Sequence, residues 1–386
     1  MITPSIRRPP SLPIAITVLV IVNALWGTSF SLMQGLNGAL TAAAGTTASS
    51  SSSVEIAATM IATRFALATA VLAIMAPRFF FGAQRTEWLA GGLMGIAFTA
   101  GLVCQVVGLG AIPVSLSAFL TSLFTVFTPL LVWLISGQRP GRNVAAGLLL
   151  AVTGVAVLSG VFGGLPAESL PPRHARDVSA LRGGESERSP ALQSESGLSR
   201  DEVRVADSQL LQAKSRTWWF GVLATTLGAF FFSVQIIVVD YYGRRLRSAY
   251  LTQGMFVATA AIGLSLAGSL SLLSGSEPSL GSYWLATVSD PAAALCFVLL
   301  SVFCTVIAFA GMNTCQPAIS ASQAAVIYSS EPIFASAWAM FLPGLLAVYL
   351  PTGFDNERLT LQLGLGGGLV LLGNILALRQ EKKRGG

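Results

Sequence analysis

Charged residues are scarce in this sequence. Asp, Glu, Lys and Arg make up 10% of the 386 residues, whereas hydrophobic residues make up 53%. A soluble domain is about one quarter charged, so this composition argues against a soluble protein and indicates a membrane protein. The net charge of +6 does not indicate a nucleic-acid partner, because Lys and Arg lie at the ends of apolar runs without a patch of interleaved aromatic residues.

Residues that bind metals or carry acid–base chemistry are also few. His174 is the only histidine, and the four cysteines form no CxxC pair. This pattern predicts neither a metal site nor a disulfide framework, and no cofactor is expected. The apolar runs hold one glutamate, no histidine and no paired aspartates, so the protein is predicted not to be an enzyme.

Ten apolar runs of about 20 residues are each long enough to cross roughly 30 Å of hydrocarbon. A lipid-exposed segment must satisfy its backbone hydrogen bonds internally, so all ten are predicted to be helices. The predicted fold class is an all-α integral membrane protein with ten transmembrane helices. In chain order, spans 1 to 10 cover residues 13–35, 56–77, 88–111, 114–136, 143–163, 217–239, 250–273, 292–314, 319–343 and 361–379.

Basic residues set the predicted orientation. They precede span 1, separate spans 2 and 3 and spans 4 and 5, and follow spans 6 and 10. If both termini are cytoplasmic, all these clusters are cytoplasmic, and Arg358 is the one exception in the opposite short loops, in agreement with the positive-inside rule. Span 1 also resembles a secretory signal, but its apolar part exceeds the usual length of about 7–15 residues, so we keep it as a helix.

Two segments read as connectors. Residues 37–54 form a low-complexity loop of small residues between spans 1 and 2. Residues 164–216 are rich in Pro, Gly, Ser and mixed charges, with too few apolar residues to bury a core. They are predicted to be a disordered linker between two halves, residues 13–163 and 217–379.

The two halves repeat each other. Residues 108–129 and 311–332 have equal length, begin with Gly, share Ser-Ala in the middle and end with Pro. Glycine placement also matches between residues 147–154 and 367–373. Because five helices per half is an odd number, the second half must be inverted relative to the first. Inverted repeats are typical of secondary transporters.

Several stretches resemble the drug/metabolite transporter superfamily, most closely its EamA-type members. They are "NALWGTSF", "RFALA", "LTSLFTVFTPLLVWL", "GLLLAVTGVAVL" and "SSEPIFASAWAMF". The resemblance implies two inverted five-helix EamA repeats, a bacterial inner-membrane location, and export of amino acids, their derivatives or other small metabolites. The long linker departs from the short connector of the family, and a second glutamate that the family often carries near the ends of spans 4 and 9 is absent here.

Glu331 is the strongest candidate for a functional side chain. It lies about midway along span 9, where a carboxylate costs roughly 2.5–3.5 kcal/mol on insertion scales, and Pro332 follows it. The other charge within a span is Arg64, predicted to lie toward the outer half of span 2. A direct Glu331–Arg64 pair and a shared water are both open. Pro129 occupies the matching place in span 4, so both prolines are predicted to kink their helices and free backbone carbonyls.

Other polar residues complete the predicted site. Asn23, Trp26 and Gln34 fall on one face of span 1, which should point inward because lipid-facing amides are costly. Further candidates for the substrate path are Gln105, Asn313 and Tyr328, although ordinary interhelical hydrogen bonding explains each of them equally well.

These observations predict a secondary transporter that works by alternating access on a small-molecule substrate in a lipid bilayer. Glu331 is expected to be a proton-linked or cation-binding carboxylate. Drug efflux, uptake and a non-transporting receptor or scaffold remain alternatives. The sequence leaves the substrate, the transport direction, the coupling ion and a homodimer open.

Overall fold

The computed structural model describes residues 10–43, 50–137, 142–158, 200–274, 280–319, 321–328, 330–349 and 356–378. Within these ranges the chain is almost entirely helical and contains no strand. The first half holds α1 (Leu12–Ala43), α2 (Ser50–Met75), α3 (Arg78–Phe81), α4 (Arg85–Leu109), α5 (Val114–Thr121), α6 (Phe124–Ser136) and α7 (Arg142–Leu158). The second half holds α8 (Arg200–Gly243), α9 (Ser248–Ser274), α10 (Leu280–Ser289), α11 (Pro291–Ser301), α12 (Ala308–Cys315), α13 (Ala321–Tyr328), α14 (Glu331–Ala339), α15 (Leu342–Ala347) and α16 (Leu361–Leu378).

Seven helical segments are long and apolar enough to cross a membrane. They are Leu12–Leu40, Val54–Met75, Arg85–Leu109, Val114–Ile135, Arg216–Gly243, Tyr250–Leu273 and Pro291–Ala318. They correspond to predicted spans 1 to 4 and 6 to 8. This confirms the prediction of an all-α protein with membrane-spanning helices.

The remaining three predicted spans have shorter helices. Spans 5 and 10 contain the apolar helices Ala145–Leu158 and Leu361–Gly373, and residues 159–163 and 379 lie outside the described part of the chain. Span 9 is divided into α13, α14 and α15. The prediction of a single uninterrupted helix over residues 319–343 is therefore wrong.

Some predicted connectors are helical. The loop assigned to residues 37–54 contains the end of α1 and the start of α2, and α8 begins at Arg200, inside the predicted linker. Residues 164–199 of that linker lie outside the description. Alanine, arginine, glutamate and glutamine are good helix formers, and extending an existing helix avoids the cost of nucleation. Composition alone underestimated how far these helices continue.

Span 4 is interrupted at Ser122 and Leu123, between α5 and α6. The hydroxyl of Thr121 donates to the Ser117 carbonyl (2.8 Å), and that of Ser122 donates to the Phe119 carbonyl (2.7 Å). Such back-bonding bends helices. Pro129 lies further on, inside α6.

Helices pack mainly across the two halves. α7 packs against α16, α4 against α8, α9 against both α2 and α4, and α1 against α12 and α14. The α7–α16 contact is close because glycines face backbone: a Cβ at Gly154 would lie 2.6 Å from the Gly366 carbonyl oxygen, and one at Gly373 would lie 2.5 Å from the Gly147 carbonyl oxygen. The two halves therefore share one interior.

Candidate functional site

A cavity lies inside the bundle, between helices of both halves. Arg64 is at the midpoint of Val54–Met75, which places the cavity near the middle of the membrane-spanning part. Its lining residues come from spans 1 to 4, 6, 8 and 9, and they are Trp26, Ser29, Met33, Arg64, Phe98, Leu102, Gln105, Thr121, Phe124, Phe232, Gln235, Ile236, Phe309, Met312, Tyr328 and Glu331.

Glu331 enters the cavity from a helix break. α13 ends at Tyr328, and α14 begins at Glu331 with Pro332 in its first turn. Proline is tolerated there because its missing N–H would have no helical acceptor. The N-terminal end of a helix favours a negative charge. Glu331 is buried and has no hydrogen-bond donor or ion-pair partner among the residues that the structure describes.

Arg64 lies on another wall of the same cavity. Its Nε donates to the Thr305 hydroxyl (2.6 Å), one Nη to the Cys304 carbonyl (3.3 Å) and the other to the Met33 sulfur (3.4 Å). A direct Arg64–Glu331 ion pair, one of the two predicted arrangements, is not formed. α2 begins earlier than predicted, and Arg64 lies at the midpoint of the apolar segment Val54–Met75; its position toward the outer half of the span stays a prediction.

The cavity has an aromatic wall. Ring centroids of Trp26 and Phe309 are 5.1 Å apart, those of Phe98 and Phe309 are 4.9 Å apart, and those of Trp26 and Tyr328 are 5.6 Å apart. These distances fall in the favourable range of about 4.5–7 Å for aromatic pairs. The wall offers an apolar or aromatic group a large contact surface.

Two hydrogen-bonded side chains line the cavity. Gln105 donates to the Thr121 hydroxyl (3.0 Å) at the end of α5. Tyr328 donates to Gln316 (2.9 Å), which in turn donates to the Ile236 carbonyl (3.1 Å). Each bond links two different spans of the bundle.

Five of the eight predicted binding residues line the cavity: Glu331, Arg64, Trp26, Gln105 and Tyr328. The structure places the other three elsewhere. Asn23 donates to the Ile327 carbonyl (2.8 Å) beside the span 9 break, and Asn313 donates to the Thr252 hydroxyl (2.9 Å). Gln34 is buried outside the cavity.

Sequence reasoning missed most of the apolar wall. Phe98, Phe124, Phe232 and Phe309 line the cavity, but 21 phenylalanines are distributed through the chain and nothing distinguishes these four by type. The repeat offered a partial signal for Phe124, which lies in the matched segment of span 4. Helix rotation decides which aromatic residues face inward, and the weak amphipathicity of membrane helices does not reveal it.

Comparisons with known proteins give no functional assignment. No family model matches the chain, and no curated protein matches it. One solved chain, described as "Crystal structure of protein", is similar with a TM-score of 0.48 and 16% identity, over 94% of this chain and 99% of the other. The function must therefore be argued from the cavity itself.

Proposed function

We propose that this protein is a secondary transporter that exports small metabolites such as amino acids or related compounds. The observation that carries the proposal is the mid-depth cavity lined by Glu331 and Arg64, two opposite charges that do not pair with each other. Buried charges in a membrane normally face a partner or a solute pathway. A solute carrying its own charges would supply both missing partners.

The surface of the cavity also fits a small amphipathic solute. The aromatic wall would hold an apolar side chain, while the two charges would hold polar groups at its ends. The same surface suits an aromatic drug, so drug efflux is the second candidate.

Packing across the halves supports two inverted five-helix repeats. If spans 1 to 5 correspond to spans 6 to 10, the observed contact of spans 3 and 6 corresponds to the contact of spans 8 and 1. Likewise, the contact of spans 4 and 6 corresponds to that of spans 9 and 1. Span 5 packs against span 10, and span 2 packs against span 7, so in each of these two contacts a span meets the span that corresponds to it in the other half. Alternating access would then be a rocking of one repeat against the other around the cavity.

In this proposal Glu331 is the proton-linked group. It is the acidic residue of the cavity wall, and it begins a helix at a break where backbone geometry can change. A proton and a cationic group of the solute would neutralise the Glu331 carboxylate in turn, at different stages of the transport cycle. The cell membrane, with both termini in the cytoplasm, is the proposed location.

The test is metabolite analysis of the medium from cells expressing the wild type, Glu331→Gln or Glu55→Gln. Glu55 is a matched control, because it is also a buried acid in a span but lies outside the cavity. With equal amounts of protein in the membrane, solutes should accumulate outside with the wild type and Glu55→Gln, and not with Glu331→Gln.

Flux of the identified solute into or out of proteoliposomes then tests coupling. A pH gradient should drive wild-type flux, and Glu331→Gln should lose that dependence. Unchanged pH-driven flux in Glu331→Gln would refute the proton-linked role. Solute binding without flux would instead favour a receptor, and accumulation of dyes or drugs alone would favour drug efflux.

A further inference from the structure

Span 8 contains a π-helical turn beside the cavity. Residues Val302–Ile307 separate α11 from α12, and the Thr305 hydroxyl donates to the Leu300 carbonyl (2.8 Å), five residues earlier. A π-turn is less stable than α-helix, and such turns occur frequently at functional sites. Here the turn lies directly against Arg64.

The turn supplies two of the three acceptors that hold Arg64. The Thr305 hydroxyl and the Cys304 carbonyl belong to it, and the Met33 sulfur comes from α1. All three acceptors are uncharged. An arginine has five N–H groups, so with three of them donated, two have no acceptor among the described residues.

Arg64 therefore has an unneutralised charge with its position fixed. The hydroxyl of Thr305 donates to Leu300 and so presents a lone pair to the Arg64 Nε, which makes the 2.6 Å bond directional. Each terminal nitrogen has one N–H left after its bond to Met33 or Cys304, and a guanidinium can bind a carboxylate through two such N–H groups.

We propose that Arg64 is the carboxylate-binding subsite of the cavity and that Thr305 is its positioning residue. This inference rests on the proposed function, since it names a chemical group of the transported solute: an organic carboxylate with an aromatic or apolar body. The carboxylate would bind at Arg64 while its apolar body contacts the Phe309 and Phe98 rings.

The experiment uses two probes of nearly equal shape, 3-phenylpropanoate and 3-phenylpropanamide. Their affinities for the purified full-length protein in detergent are measured by calorimetry. A hydrogen bond to a charged group contributes about 1.5–3 kcal/mol, so the wild type should bind the carboxylate at least about tenfold more tightly than the amide. Arg64→Gln should abolish this preference.

Variants of Thr305 separate positioning from folding. Thr305→Val keeps the side-chain shape without the hydroxyl and should reduce the preference to about threefold or less. Thr305→Ser keeps the hydroxyl and should restore it. Thr99→Val is the matched control, because the Thr99 hydroxyl is buried, bonds to its own helix and lies outside the cavity.

Each result decides the inference. Equal wild-type affinities for the two probes, or binding of neither, would overturn the subsite. A full preference in Thr305→Val would overturn the positioning role. Metabolite flux is measured separately, so the two proposals can fail independently. A carboxylate preference without flux would refute transport and support the subsite. Flux without the preference would support transport and refute the subsite.

Discussion

Replacing Arg247 with methionine should destabilise this protein by about 3–5 kcal/mol, far more than most substitutions at a helix end. Arg247 Nε donates to one Glu87 oxygen (2.6 Å) and Nη2 to the other (2.5 Å). The Glu87 side chain is 2% exposed and that of Arg247 is 17% exposed. Methionine would keep the apolar stem of Arg247 and leave a buried carboxylate without its counter-charge.

The magnitude follows from comparing this pair with an exposed one. Arg244 and Asp240 are 2.9 Å apart, but their side chains are 48% and 31% exposed, and such pairs contribute about 0.2–1 kcal/mol. Glu87 would keep the N–H of Gln84 (2.8 Å), which offsets part of the loss, so the lower end of the range is expected.

The assay is a double-mutant cycle on unfolding in mixed micelles titrated with denaturing detergent. Glu87→Gln and Arg247→Met together should be less destabilised than Arg247→Met alone, with a coupling of about 2–3 kcal/mol. Arg244→Met is the control and should change the free energy of unfolding by less than about 1 kcal/mol. Equal effects of Arg247→Met and Arg244→Met would refute the reasoning.

The pair should be insensitive to moderate alkali. Hydrogen bonding to Glu87 raises the pKa of Arg247 above its ordinary value. A cation whose pKa is raised on folding contributes stability that is fully present below its unfolded pKa. The contribution of Arg247 should therefore stay constant from about pH 6 to pH 9. Because Glu87 belongs to the first half and Arg247 to the second, the pair joins the halves at one end of the bundle.

Two further predictions concern packing and pH. Gly373→Val should destabilise the α7–α16 contact by about 1–3 kcal/mol, because the added Cβ would lie 2.5 Å from the Gly147 carbonyl oxygen. Gly368→Ala is the control in the same unfolding assay and should be neutral, because a Cβ at Gly368 would meet no atom within 4 Å. Burial raises the pKa of Glu357, although its carboxylate accepts the Ser115 N–H, so the protonated acid is favoured in the folded state. Wild-type thermal stability should therefore fall as pH rises from about 4.5 through that raised pKa, and Glu357→Gln should lack this decrease; parallel pH profiles for both proteins would contradict it.

Membrane-spanning helices were predictable because their cause is local. An uninterrupted run of about 20 apolar residues requires helix in hydrocarbon, whatever surrounds it. Interruptions inside a run depend on more than hydropathy. The break before Glu331 was indicated by Pro332. At the break at Ser122, hydroxyls bond to backbone carbonyls, but Thr63 and Thr99 make the same kind of bond inside unbroken helices, so residue type did not indicate this break.

Cavity residues were predictable where burial is expensive. Glu331 and Arg64 could be predicted because a charge within a membrane span costs free energy and is therefore expected to have a functional role. Thr305 and the phenylalanines carry no such cost, and their roles depend on helix rotation and on the π-turn, which have no signature in residue type. The same limit applies to Asn23, Gln34 and Asn313, which do not line the cavity. The free-energy cost of exposing an amide to lipid predicts that each faces inward, but it does not predict whether the amide contacts the cavity or a neighbouring helix.

A polar side chain from another span donates to a backbone carbonyl near each of the two helix breaks. Asn23 in span 1 donates to the Ile327 carbonyl, and Ser233 in span 6 donates to the Phe124 carbonyl (3.1 Å). The two acceptors are 203 residues apart (327 − 124), the same separation as Pro332 and Pro129 (332 − 129). In both cases the carbonyl accepts from a polar side chain of another span, and either an amide or a hydroxyl can provide the bond. If the two halves are inverted repeats, as proposed, the correspondence lies in the positions of the accepting carbonyls, because an amide and a hydroxyl can each donate the same bond.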